Sequence, residues 1–132
     1  MAIRVSWDNP EKTVLYMLFE GRWRISEFDA ALNQMQALTC HITHPIYTLC
    51  DMTRCGSPPV GILWQARRAY QMARENWAGT VVATQNRMVR DLLDSFLNAY
   101  APQSVEKIIA VTTVEEARQR LACQYAKRVE TG

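Results

Sequence analysis

The chain has 132 residues, of which 48% are hydrophobic and 21% charged, with a formal net charge of +2. That length is one domain's worth and can bury a sizeable core without disulfides or a structural metal. So small a basic excess gives no support for a nucleic-acid partner. The longest apolar run is too short for a membrane-spanning helix. The opening MAIRVSWDNP has no apolar h-region, so no secretory signal is expected. A cytoplasmic protein is expected, with Cys40, Cys50, Cys55 and Cys123 reduced.

Ile3, Val5 and Trp7 alternate with Arg4 and Ser6, the period of a half-buried strand. Asp8-Asn9-Pro10 supplies turn chemistry. A second strand over 13–20 is apolar on both faces, with Val14, Tyr16 and Leu18 on one and Leu15, Met17 and Phe19 on the other. Such a strand belongs inside a sheet, and the two are expected to pair as a hairpin. Gly21 ends it. Ser26 reads as a helix cap, with Glu27 and Asp29 in the positive first turn. Phe28, Ala31, Leu32, Met35 and Leu38 then recur at helical spacing, and the pattern collapses between Thr39 and Pro45.

The stretch from Pro45 to Gly61 organises the rest. It predicts a buried strand over Ile46–Cys50 that leaves the core at Asp51, a Gly/Pro-punctuated loop, and a helix beginning near Val60. That helix carries Leu63, Ala66, Tyr70 and Ala73 on one face. A strand over Gly79–Thr84 follows, then a helix starting at Asn86 with Val89, Leu92, Leu93, Phe96 and Tyr100 in register. The last strand is Lys107–Val111. Thr113 to Glu116 reads as a capping box, opening a helix with Val114, Ala117, Leu121 and Tyr125 inward. A single α/β domain over residues 1–126 results, with 127–132 expected to fray. Its order is β-β-α-β-α-β-α-β-α, which implies a mostly parallel sheet with an antiparallel first strand and right-handed crossovers.

This order, with Gly21-x-Trp23 before Ser26-Glu27-Phe28, the strand ending in Asp51, and Ile108-x-x-Val111-x-Thr113 before Glu115-Glu116-Ala117, resembles the SpoIIAA-like or STAS family over roughly residues 3 to 122. The resemblance implies a partner-binding switch of the anti-sigma-factor-antagonist type. That family's switch is a serine in an Asp-Ser-Ser-Gly stretch where the central helix begins. Here the chain reads Cys55-Gly56-Ser57-Pro58-Pro59-Val60-Gly61, so Ser57 is only a loose positional counterpart. The fold class also resembles lipid-binding CRAL-TRIO-type domains, which are longer.

Ligands of open α/β sheets gather outside the carboxyl ends of the strands. Those ends carry Asp51, Thr53 and Arg54, then Gln85, Asn86 and Arg87, then Thr112 and Thr113. Helix N-termini there suit an anion, and Arg54 and Arg87 add to that. The plainer reading makes Asp51, Asn86 and Thr113 turn and cap residues. His41, His44 and the nearby cysteines match no common zinc spacing. No nucleophile elbow or phosphate loop is present, no catalytic residue is assigned, and no cofactor is implied. Trp64 lies one position off its helix stripe and is expected to be partly exposed, as at partner surfaces.

The six Met and four Trp could line an apolar pocket, but filling the core is the plainer use. The leading expectation is therefore a non-enzymatic, protein-binding regulatory module, with a homodimer as one form it could take. Its working surface would be Asp51, Thr53, Arg54, Ser57, Trp64, Asn86 and Arg87. The alternative is a carrier or sensor of a small apolar or anionic molecule, which predicts a cavity between sheet and helices.

Overall fold

The structure, a computed structural model, describes residues 2–100, 102 and 107–131, with side chains to residue 128. The elements are β1 (Ile3–Trp7), β2 (Val14–Gly21), α1 (Ile25–Thr39), β3 (Ile46–Cys55), α2 (Ile62–Met72), β4 (Trp77–Ala83), α3 (Arg87–Tyr100), β5 (Ile108–Val111) and α4 (Val114–Thr131). Five strands form one sheet in the order β1-β2-β3-β4-β5. β1 runs antiparallel to β2, and every later pairing is parallel. The α/β class and the element order expected from hydrophobic period are thus those of the structure.

Strand alternation divides the sheet into two faces. Tyr47 and Leu49 of β3 and Val81 and Ala83 of β4 turn toward Ala117 and Leu121 of α4. Their neighbours Thr48, Cys50, Thr80 and Val82 turn to the opposite face, beneath α1, α2 and α3. Consecutive right-handed crossovers moving one way along a sheet place their helices on one side, so α4 is left to cover the other. β4 comes close to its neighbours there. A Cβ on Gly79 would meet the carbonyl oxygen of Lys107 at 3.0 Å and Gln124 of α4 at 3.5 Å, so glycine is required for that approach.

Of the boundaries that differ from the sequence reading, three bear on the site. β3 does not leave the core at Asp51 but continues to Cys55, with Asp51 only 1% exposed. The reason is a bulge. Leu18 pairs with Asp51 but Glu20 with Arg54, so β3 carries one extra residue. The Thr53 backbone N–H donates to the Asp51 carboxylate at 3.1 Å across it. Ser26 is not the cap of α1. With Trp23 drawn into the core, the helix starts at Ile25. Glu27 reaches back to accept the Arg24 backbone N–H at 3.2 Å and that of Ala2 at 3.0 Å. α2 starts at Ile62, after Gly61 takes φ +91°, a left-handed conformation suited to glycine.

The other caps follow the sequence more closely. Asn86 accepts the Met88 backbone N–H at 2.9 Å to start α3, and Thr113 accepts that of Glu116 at 3.1 Å to start α4. The Glu116 carboxylate completes that box through Thr112 rather than Thr113. α4 continues as helix to Thr131; Gly132 lies outside the described residues.

Candidate functional site

Two features stand out, one on each face of the sheet. Under α1, α2 and α3 lies a cavity of about 300 Å³ with an almost wholly apolar wall. Its floor is Leu15 and Met17 of β2, Thr48 and Cys50 of β3, and Thr80 and Val82 of β4. α2 roofs it with Leu63, Ala66, Ala69 and Tyr70. The helix packs chiefly on its neighbours α1 and α3. None of its residues is fully buried, because the cavity separates its apolar stripe from the sheet.

Two aromatic clusters bracket this space. Phe19, Trp23 and Phe28 form one, with Phe19 and Trp23 edge to face at 5.0 Å. Tyr70 joins Trp77 and Phe96 edge to face in the other, at 6.0 and 6.1 Å. Met17, Met35, Met52 and Met72 contribute to the wall. Methionine adapts to irregular surfaces and suits a pocket whose occupant varies in shape.

Polar groups along the wall are few, and most are committed. The Thr39 hydroxyl donates to the Met35 carbonyl at 2.8 Å, and Thr80 Oγ1 accepts the Trp77 indole N–H at 3.0 Å. Asn76 donates to the carbonyls of Ile42 and His44, both at 3.0 Å. Arg74 donates to the Thr39 carbonyl. The Cys50 thiol lies 4.0 Å from the Met17 sulfur, and burial pushes it up to about 12, with the Asp51 charge adding to that. It is a protonated, inert wall group at neutral pH.

The second feature is the Asp51 carboxylate, on the α4 face. It accepts from the Tyr16 hydroxyl, from the Thr53 hydroxyl at 2.6 Å and from the Thr53 backbone N–H at 3.1 Å. Burial would raise this carboxyl, but those hydrogen bonds and the Arg54 charge together hold it below its ordinary value. Tyr16 is pushed the other way, to about 12, first by burial and then by its bond to Asp51. Arg118 of α4 lies over the Tyr16 ring at 5.8 Å and grips Asp8 through two bonds of 2.8 and 3.1 Å. This arrangement ties α4 to the β1–β2 turn through satisfied partners. It is structural in character.

The residues singled out from sequence do not form one pocket. Asp51 and Thr53 are bonded to each other, with Arg54 exposed beside them. Ser57 is exposed in the loop before α2. Trp64 is 65% exposed, as its offset from the stripe predicts, and Arg67 stacks on it at 5.6 Å and on Tyr100 at 5.2 Å. Asn86 is a cap, and Arg87 is exposed in the first turn of α3. His44 Nε2 donates to the Lys12 carbonyl oxygen, 2.8 Å away, just before β3 begins. That is roughly 20 Å of extended chain from Asp51. Among the described residues no three His, Cys, Asp or Glu side chains gather to hold a metal.

No family model, curated protein or solved structure matches the chain. Sequence reasoning offers a cavity between sheet and helices only as its alternative and assigns no wall residues to it. Their signal is present in the doubly apolar β2 and in the methionines, but an ordinary core gives the same one. No described helix is long and apolar enough to cross a membrane.

Proposed function

We propose that this chain is a non-enzymatic carrier or sensor of STAS-like fold that holds a small apolar molecule between its sheet and α2. The cavity of about 300 Å³ carries this reading. Protein interiors are close-packed, with few voids larger than a water molecule. The pocket opens partly to solvent, so when it is empty its almost wholly apolar wall faces water, a loss of apolar burial. An apolar occupant recovers much of that loss. A cavity of ~150 Å³ accommodates benzene, so this one suits a molecule of roughly twelve non-hydrogen atoms. Calorimetric titration with naphthalene tests the reading. Saturable binding with a rise in melting temperature supports it, and no heat and no shift at the solubility limit would sink it.

The exposure of Val60 (100%) and Trp64 (65%) favours a second reading, a protein partner docking on the 51–61 loop and α2. Val60→Ser with Trp64→Ser would then abolish capture of that partner while leaving naphthalene binding intact. Equal recovery of every protein by wild type and the double variant rejects it.

A further inference from the structure

The cavity floor carries a single uncommitted polar side chain, and it is placed to choose the ligand. Thr48 sits in the middle of β3, is 5% exposed, and turns to the cavity face. Its hydroxyl has no hydrogen-bond partner among the described residues, whereas the Thr39, Thr80, Asn76 and Arg74 side chains on the same wall are all engaged. Elsewhere on the wall, Gln36 is exposed to solvent, and the buried Trp23 indole N–H, between β2 and α1, is a second polar group without a hydrogen-bond partner among the described residues. Thr48 and Thr80 are register partners on adjacent parallel strands, and both stand on the apolar floor. Ligand sites use isolated polar groups on an apolar wall to fix orientation.

We infer that the ligand is a neutral amphiphile, an apolar body bearing one hydroxyl or carbonyl oxygen that bonds to Thr48. This rests on the cavity being a ligand site. Charge argues against a carboxylate at that spot. Arg74 is the lone cation on the described wall, it is solvent-exposed, and it is held by the Thr39 carbonyl. An anion on the floor would be stripped of water with no opposite charge beside it. A pure hydrocarbon would fit the walls but leave Thr48 unsatisfied.

Three probes of matched shape separate these cases by calorimetry: naphthalene, 2-naphthol and 2-naphthoate, at a pH where the naphthol is neutral. The expected order is 2-naphthol tightest, with naphthalene weaker by roughly tenfold and 2-naphthoate weakest. Thr48→Val should remove the naphthol advantage, bringing 2-naphthol to the affinity the same variant shows for naphthalene. Thr48→Ser keeps the hydroxyl and should keep the preference, which separates hydrogen bonding from any packing defect. If naphthalene binds but 2-naphthol is no tighter, or Thr48→Val loses both equally, the role of Thr48 is overturned while the cavity reading stands. If 2-naphthoate binds best, the ligand class is wrong. If none of the three binds, both proposals fall.

Discussion

Tyr16 and Asp51, 35 residues apart, are joined by a hydrogen bond from phenol to carboxylate across the β2–β3 pair. The bond leaves a nearly inaccessible carboxylate fully partnered, and it acts on the titration of both groups.

Asp51 binds a proton more weakly in the folded chain than its ordinary value of 3.8 implies. Its contribution to stability is therefore complete above that value and is lost as pH falls through the lower folded value. Asp51→Asn should cost about 1–3 kcal/mol at pH 7 by disturbing a buried, satisfied network. It should also flatten the decline of stability below pH 4. Denaturant midpoints at pH 7 and pH 3 check this; parallel pH profiles for the two proteins would contradict it.

Tyr16 behaves in the opposite sense. Its folded value of about 12 lies above the ordinary 10.0, so the folded chain holds this proton more tightly than the unfolded one. Stability from this source is present below pH 10 and drains away as pH rises toward 12. In Tyr16→Phe the alkaline decline should be shallower than in wild type. Unfolding curves collected between pH 9 and pH 12 make the comparison.

The two faces of the sheet should answer truncation differently. Leu49 is 0% exposed beneath α4 and has packed neighbours. Leu49→Ala should cost about 3–5 kcal/mol. Leu92 borders the cavity and is only part-buried. Leu92→Ala should therefore cost about 2 kcal/mol, the low end for such a change. Ala69 also lines the gap. Ala69→Leu should gain about 1 kcal/mol by placing methylene groups there, and should weaken naphthalene binding. Urea denaturation of the three variants gives the ranking, and equal losses at Leu49 and Leu92 would contradict the layered packing.

Thiol chemistry offers a check that needs no substitution. Cys40 and Cys123 are exposed, Cys55 is half-buried, and Cys50 faces the cavity with its thiol pushed up to about 12. Iodoacetamide at pH 8 should modify Cys40 and Cys123 first and Cys50 only on unfolding, as peptide mass mapping over time would reveal. Early modification of Cys50 would mean that α2 opens freely.

Much of the architecture is legible because it is written in local period. The alternation of Ile3, Val5 and Trp7 gives β1, the doubly apolar β2 sits inside the sheet, and Asn86 opens α3 as its chemistry predicts. Asp51 departs from its expected place because its partner Tyr16 is far away in sequence and no local signal announces the bulge that keeps β3 going to Cys55. The cavity is no more than the alternative expectation for a related reason. The stripe through Leu63, Ala66 and Tyr70 says which side of α2 faces inward but nothing about how far that side stands from the floor. Methionines that fill a core and methionines that line a gap give the same pattern.

The placement of α4 bears on how the chain matures. Tyr47, Leu49, Val81 and Val111 belong to strands made before it, yet among the described residues it is the helix that shields them. During synthesis that half of the sheet stays bare until residues 114–121 have cleared the ribosome tunnel. A nascent chain stalled before that point carries a sticky surface that chaperones must guard.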